Sequence, residues 1–176
     1  QRRRGWAILA AATHLCPRLP MLRPMPRAAI AAAGFTAMLN MYAPQAVLPL
    51  MSAEFGVGPA AISQIMTVNA LAVAITAPFT GAIADVLGRR FIIAIAIALL
   101  VVPSVMMAMS SSLEALLFWR FVQGLLLPPI FAVSVAYIGA EWPAGEATAV
   151  TGTFIAATAV GGFSGRMVTA ALAEPV

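Results

Sequence analysis

From residue 28 onward the chain is a succession of long apolar runs, separated by short stretches rich in glycine, proline, serine or charge. A helix needs about 20 apolar residues to cross ~30 Å of hydrocarbon. The pattern predicts five spans, at 28–51, 64–84, 91–109, 115–138 and 147–172. The expected fold class is all-α, a polytopic transmembrane helical bundle. Residues 1–27 do not share the pattern. Pro17, Pro20, Pro24 and Pro26 bar a long helix there, and the apolar stretch 6–13 is short and flanked by arginine. This segment reads as a basic, proline-rich cytoplasmic leader ahead of a transmembrane domain at 28–176. It imitates a signal peptide, but no small-x-small cleavage step leads into a soluble domain. Met21 would open a shorter leader holding Arg23 and Arg27.

Composition narrows the function class. With 62% hydrophobic and 9% charged residues, an ordinary soluble domain is excluded. The formal charge of +4 comes from arginine alone, and six of the ten arginines lie in the first 27 residues. That placement fits a cytoplasmic membrane anchor and argues against a nucleic-acid partner. With the N-terminus inside, the inside segments carry eight arginines and the outside loops none. Cys16 is the single cysteine and His14 the single histidine, so neither a disulfide nor a metal site is expected. No paired-carboxylate, nucleophile or cofactor-binding constellation is present, and no enzyme activity is expected.

The polar positions within and between spans carry the chemistry. Gly81-Ala-Ile-Ala-Asp85-Val-Leu-Gly88-Arg89-Arg90 joins the second and third spans by a turn so short that they must form an antiparallel hairpin. Asp85 ends one helix and Arg89 and Arg90 open the next, each opposed to its helix dipole. The conflict eases if Asp85 pairs with Arg89. Gly88 suits a positive-φ helix end, and Gly81 would admit a neighbouring backbone. Two readings stand together: a topology signal, or a mechanical latch.

In the first span Asn40, Tyr42 and Gln45 cluster with Pro44 and Pro49. The prolines free carbonyls that neighbours must satisfy. The amides and phenol would line a water-accessible cavity, or else bond between helices. The second span holds Asn69 and Pro78; the third asks for no chemistry and reads as lipid-facing or as packing. The fourth holds Arg120, with Gln123 on the same face and Gly124 permitting close packing. An intramembrane arginine costs roughly 2.5–3.5 kcal/mol on insertion scales, which favours a functional role over snorkelling to the headgroups. Gly152, Gly161, Gly162 and Gly165 give the fifth span a thin face, and Arg166 reads as an interface anchor or a cavity residue.

Four of these patterns resemble the major facilitator superfamily. Gly81, Asp85, Gly88, Arg89 and Arg90 are similar to its loop between helices two and three, although Val86 and Phe91 replace further basic residues. Arg120, Gln123 and Gly124 resemble its fourth-helix motif, and residues 161–166 the glycine-rich fifth helix of antiporter-type members. The stretch from Tyr42 to Val57 is similar to the first helix and loop of bacterial efflux members. The resemblance implies a secondary transporter in a bacterial cytoplasmic membrane, with small organic molecules and protons as its partners beside the lipid bilayer. Asp85 and Arg89 would latch the inner face, and Arg120 and Gln123 would contact substrate or a protonatable partner. Five spans match only the N-terminal part of such a protein, so the C-terminal transporter half is expected to be missing. Import of a metabolite, or a truncated protein acting only by helix packing, are the alternatives.

Overall fold

The structure, a computed structural model, describes residues 25–173. Its elements are α1 (Arg27–Tyr42), a 3-10 turn (Ala43–Val47), α2 (Leu48–Glu54), α3 (Pro59–Leu87), α4 (Arg89–Ala108), α5 (Leu113–Glu141) and α6 (Ala144–Ala173). The all-α membrane bundle is confirmed, and α3 to α6 are each long and apolar enough to span. The predicted first span is the exception in detail. It is interrupted, and at 1.5 Å per residue the 16 residues of α1 reach only about 24 Å. Pro44 and Pro49 are the cause, since each lacks the amide that an unbroken helix would use.

The helix ends follow local chemistry. Pro59 occupies the first turn of α3, where its missing amide costs nothing. Ser112 caps α5, its Oγ accepting from the Ala115 amide at 3.3 Å. Gly88 alone separates α3 from α4, with φ 91°, a backbone conformation that favours glycine. Pro78, Pro103, Pro128 and Pro129 lie inside helices that continue through them.

Contacts give the helix directions. Arg27 meets Glu146, Gly34 lies against Phe154, and Gly165 against Leu39, so α1 and α6 run parallel. Asn69 meets Arg120 and Gly124, and Arg89 reaches Ala136, so α3 and α5 run parallel to each other as well. Alternation along the chain makes the two pairs opposite in direction. The main core, which includes Ile30, Ile93, Leu100, Ile130 and Phe154, lies where α1, α4, α5 and α6 meet.

Two predicted glycine faces are thin enough for backbone contact. A Cβ at Gly124 would lie 2.6 Å from the Asn69 carbonyl, and one at Gly165 2.7 Å from the Leu39 carbonyl. Gly161 abuts the Phe35 backbone, and Gly162 seats the Tyr42 ring. Gly81 and Gly152 correct the expectation: a Cβ at either would meet nothing within 4 Å. Both lie on outward helix faces with no described backbone beside them. Gly34, not singled out from sequence, is tight against Phe154 instead.

Candidate functional site

The site is built on the break in the first span. Pro44 has no amide to give the Asn40 carbonyl, and the carbonyls of a helix's last turn need outside donors. The donor is Arg120. Its side chain is fully buried (0% exposed) and enters from α5. Nη1 donates to the Asn40 carbonyl at 3.3 Å and to Gln123 Oε1, and Nη2 donates to the Met41 carbonyl at 2.8 Å. Nη2 also lies 3.7 Å from Met66 Sδ. Hydrogen bonds from a charged donor contribute about 1.5–3 kcal/mol each. Two of them match the insertion cost of roughly 2.5–3.5 kcal/mol. The arginine is thus affordable at this depth because it closes the proline break.

Local packing holds that geometry. Asn69 Nδ2 donates to the Arg120 carbonyl at 3.1 Å, tying α3 to α5 beside the guanidinium. Gly124, one turn on, lets the two backbones approach. Gln123 sits three residues from Arg120 on the same face, as its spacing implies, and is also fully buried.

A cavity of about 250 Å³ opens beside the break, lined by Asn40, Pro44, Ser104, Arg120, Gln123 and Thr169 among others. Two donors of its lining, Arg120 Nε and Gln123 Nε2, are buried without a hydrogen-bond partner. A second hollow of about 380 Å³ lies between α1 and α4 and shares Asn40 and Ser104. Ser104 Oγ lies 2.8 Å from Asn40 Oδ1 and 2.7 Å from the Leu100 carbonyl. The third span, expected to be chemically silent, therefore contributes to the site. Ser104 is one small polar group in an aliphatic run, with no spacing signal to mark it.

The remaining predicted residues divide by partner. Asn40 both lines the cavities and bonds across helices. Gln45 bonds between helices: Oε1 accepts from Arg166 Nε at 2.9 Å and Nε2 lies 3.6 Å from Met66 Sδ. Tyr42 is likewise a packing partner, its ring stacked 4.3 Å beneath the Arg166 guanidinium. Arg166, an exposed residue, is thus held against the break. Its distance in sequence from Tyr42 and Gln45 hid this from pattern reading.

The glycine and arginine turn lies at the opposite end of the bundle. Arg89 Nη2 pairs with Asp85 Oδ1 at 3.0 Å, and Nη1 donates to the Ala136 carbonyl of α5 at 3.1 Å. Arg27 pairs with Glu146 nearby, and the Met25 amide donates to the Tyr137 hydroxyl at 2.9 Å. Charge is therefore concentrated at this end, whereas Glu54 and Glu114 lie at the other. Residues 1–24 of the leader, with His14 and Cys16, lie outside the described residues.

Comparison with known proteins agrees with this architecture. The sequence profile of the Major Facilitator Superfamily matches residues 30–176. The chain is 30% identical over 140 residues to the inner membrane transport protein YnfM of Escherichia coli, covering 80% of this chain and 34% of that protein. It is 31% identical over 143 residues to the uncharacterized MFS-type transporter YybF of Bacillus subtilis, covering 81% and 35%. A more distant relative is the probable multidrug resistance protein EmrY of Escherichia coli, 27% identical over 115 residues, or 65% and 22%. The chain spans about a third of the length of the curated relatives it matches most fully. With its interrupted first helix, buried arginine and charged inter-helix turn, this chain belongs to the Major Facilitator Superfamily.

Proposed function

We propose that the chain forms the first part of a secondary transporter that moves small organic molecules across a bacterial cytoplasmic membrane by alternating access, exporting them against protons. The carrying observation is the buried pair of Arg120 and Gln123, each with an unpartnered donor, at the break in the first span. Interrupted helices at mid-membrane sites are where secondary transporters hold their cargo. The multidrug name of a relative supports export, and the charge at the Arg27 end supports a cytoplasmic location for it. The described residues place no carboxylate against either site arginine. The proton carrier in this proposal is therefore a group on the remainder of the transporter.

The test uses the whole gene product in inverted membrane vesicles with an imposed pH gradient. Gradient-dependent accumulation of organic solutes is expected, and Arg120→Ala should abolish it when flux is normalised to the amount of protein in the membrane. Full flux in that variant would remove Arg120 from the mechanism. A complete absence of flux in the native protein would remove the transporter reading.

A further inference from the structure

We infer that this site takes an organic anion of the carboxylate or sulfonate class, anchored by the Arg166 guanidinium. The inference rests on the transport reading and specifies its cargo.

Arg166 is seven residues from the end of α6 at Ala173, about 10 Å along the helix axis. From there an arginine would ordinarily extend toward the headgroups. Here it is folded back onto the break: its Cζ lies 4.3 Å above the Tyr42 ring, and Nε donates to Gln45 Oε1 at 2.9 Å. Gly162 makes the stack possible, because a Cβ there would lie 3.1 Å from Tyr42 Cδ2. Those contacts engage one face of the guanidinium and one of its N–H groups. Both Nη groups are without a partner among the described residues.

The second observation is charge balance. Gln45 links the two arginines, since its Nε2 lies 3.6 Å from the same Met66 Sδ that Arg120 Nη2 approaches at 3.7 Å. Two cations thus share one layer of the bundle, and no described carboxylate pairs with either. Arg120 has spent its Nη groups on carbonyls and on Gln123, but its Nε and Gln123 Nε2 are orphaned donors. A positively charged cluster rich in donors, with acceptors already consumed, opposes a cation and favours an anion. A guanidinium fork whose orientation is preset by stacking suits the two oxygens of a carboxylate or sulfonate. Val47, Met51, Ile65 and Leu116 line the adjoining cavity and would receive an apolar body. Thr169, one turn from Arg166 on α6, lies on that lining too.

The same chemistry would hold a phospholipid phosphate, so the experiment separates the two sources. The whole gene product, in phosphatidylcholine nanodiscs, is titrated with 2-naphthoate and with 2-naphthylmethylammonium, which share an aromatic frame and differ in charge. Binding of 2-naphthoate and exclusion of the amine are expected. Arg166→Gln should weaken 2-naphthoate by about ten-fold, the loss of one charge-assisted contact. Arg166→Lys, which keeps the charge and loses the fork, should fall between the two. Preference for the amine, no 2-naphthoate binding, or unchanged binding in Arg166→Gln overturns the inference. So does an Arg166→Gln protein that loses only retention of added phosphatidylglycerol, which would make this a headgroup site. Binding is read without flux, so 2-naphthoate binding in a protein that transports nothing would remove the transporter reading and leave the anion site standing.

Discussion

Arg120 shows how a costly residue becomes structural and chemical at once. Its Nη groups complete the end of α1, and its Nε faces the cavity lining unpartnered. If the guanidinium substitutes for the amide Pro44 lacks, the two positions are energetically coupled. Arg120→Ala should destabilise the native protein, because a buried unsatisfied acceptor costs about 1–3 kcal/mol. In a Pro44→Ala background the restored amide serves the Asn40 carbonyl, and the same substitution should cost less. A coupling of about 0.5–3 kcal/mol is expected from thermal unfolding of the four proteins in detergent. Strict additivity would separate Arg120 from the break. From the sequence the residue and its companion Gln123 were legible, since a charge at that depth and a glutamine three positions on are visible in one dimension. That its partner is backbone was not.

Among the elements, the parallel pair of α1 and α6 is decided by glycine. Gly161 and Gly165 let α6 lie on the Phe35 and Leu39 backbone, which in turn brings Arg166 to Tyr42 and Gln45. A Cβ at Gly165 would sit 2.7 Å from a carbonyl that cannot swing aside. Gly165→Val should therefore cost about 1–3 kcal/mol by overpacking, lowering the thermal midpoint and the membrane level. Gly152→Ala, facing open space, should change stability by less than about 0.5 kcal/mol. Equal effects at the two positions would refute the packing account. Composition showed that the last span had a thin face, but the turn-by-turn choice between Gly165 and Gly152 depends on where α1 lies.

Over the whole molecule, polarity runs from the charged end at Arg27, Asp85, Arg89 and Glu146 to the broken helix and its two arginines, neither paired with a carboxylate among the described residues. Arg89 joins the α3 and α4 hairpin to α5 through the Ala136 carbonyl, so a conformational change that separates these helices must break that contact. The Asp85 carboxylate orients Arg89 for it. Because the pair is solvent-exposed, Asp85→Asn should shift unfolding by less than about 1 kcal/mol. If the contact is a latch, turnover should fall several-fold while KM stays within about two-fold. Vesicle flux measured against substrate concentration separates the two parameters. An altered KM at native turnover would count against a latch.

The sequence by itself determined the fold class, the positions of α3 to α6, and most of the polar residues that meet at the helix break. In a bilayer every backbone polar group must bond within its own segment or to a close neighbour. That condition writes spanning helices as long apolar runs and makes each charge or proline within them conspicuous. Tertiary structure alone decided who satisfies whom. Arg120 reaches carbonyls 79 and 80 positions away, Arg166 reaches a side chain 121 positions away, and Ser104 meets Asn40 across 64. Such pairings depend on helix directions and rotations, which follow from the summed packing of all faces. A local pattern marks the donors that need partners; only the folded bundle brings the acceptors to them.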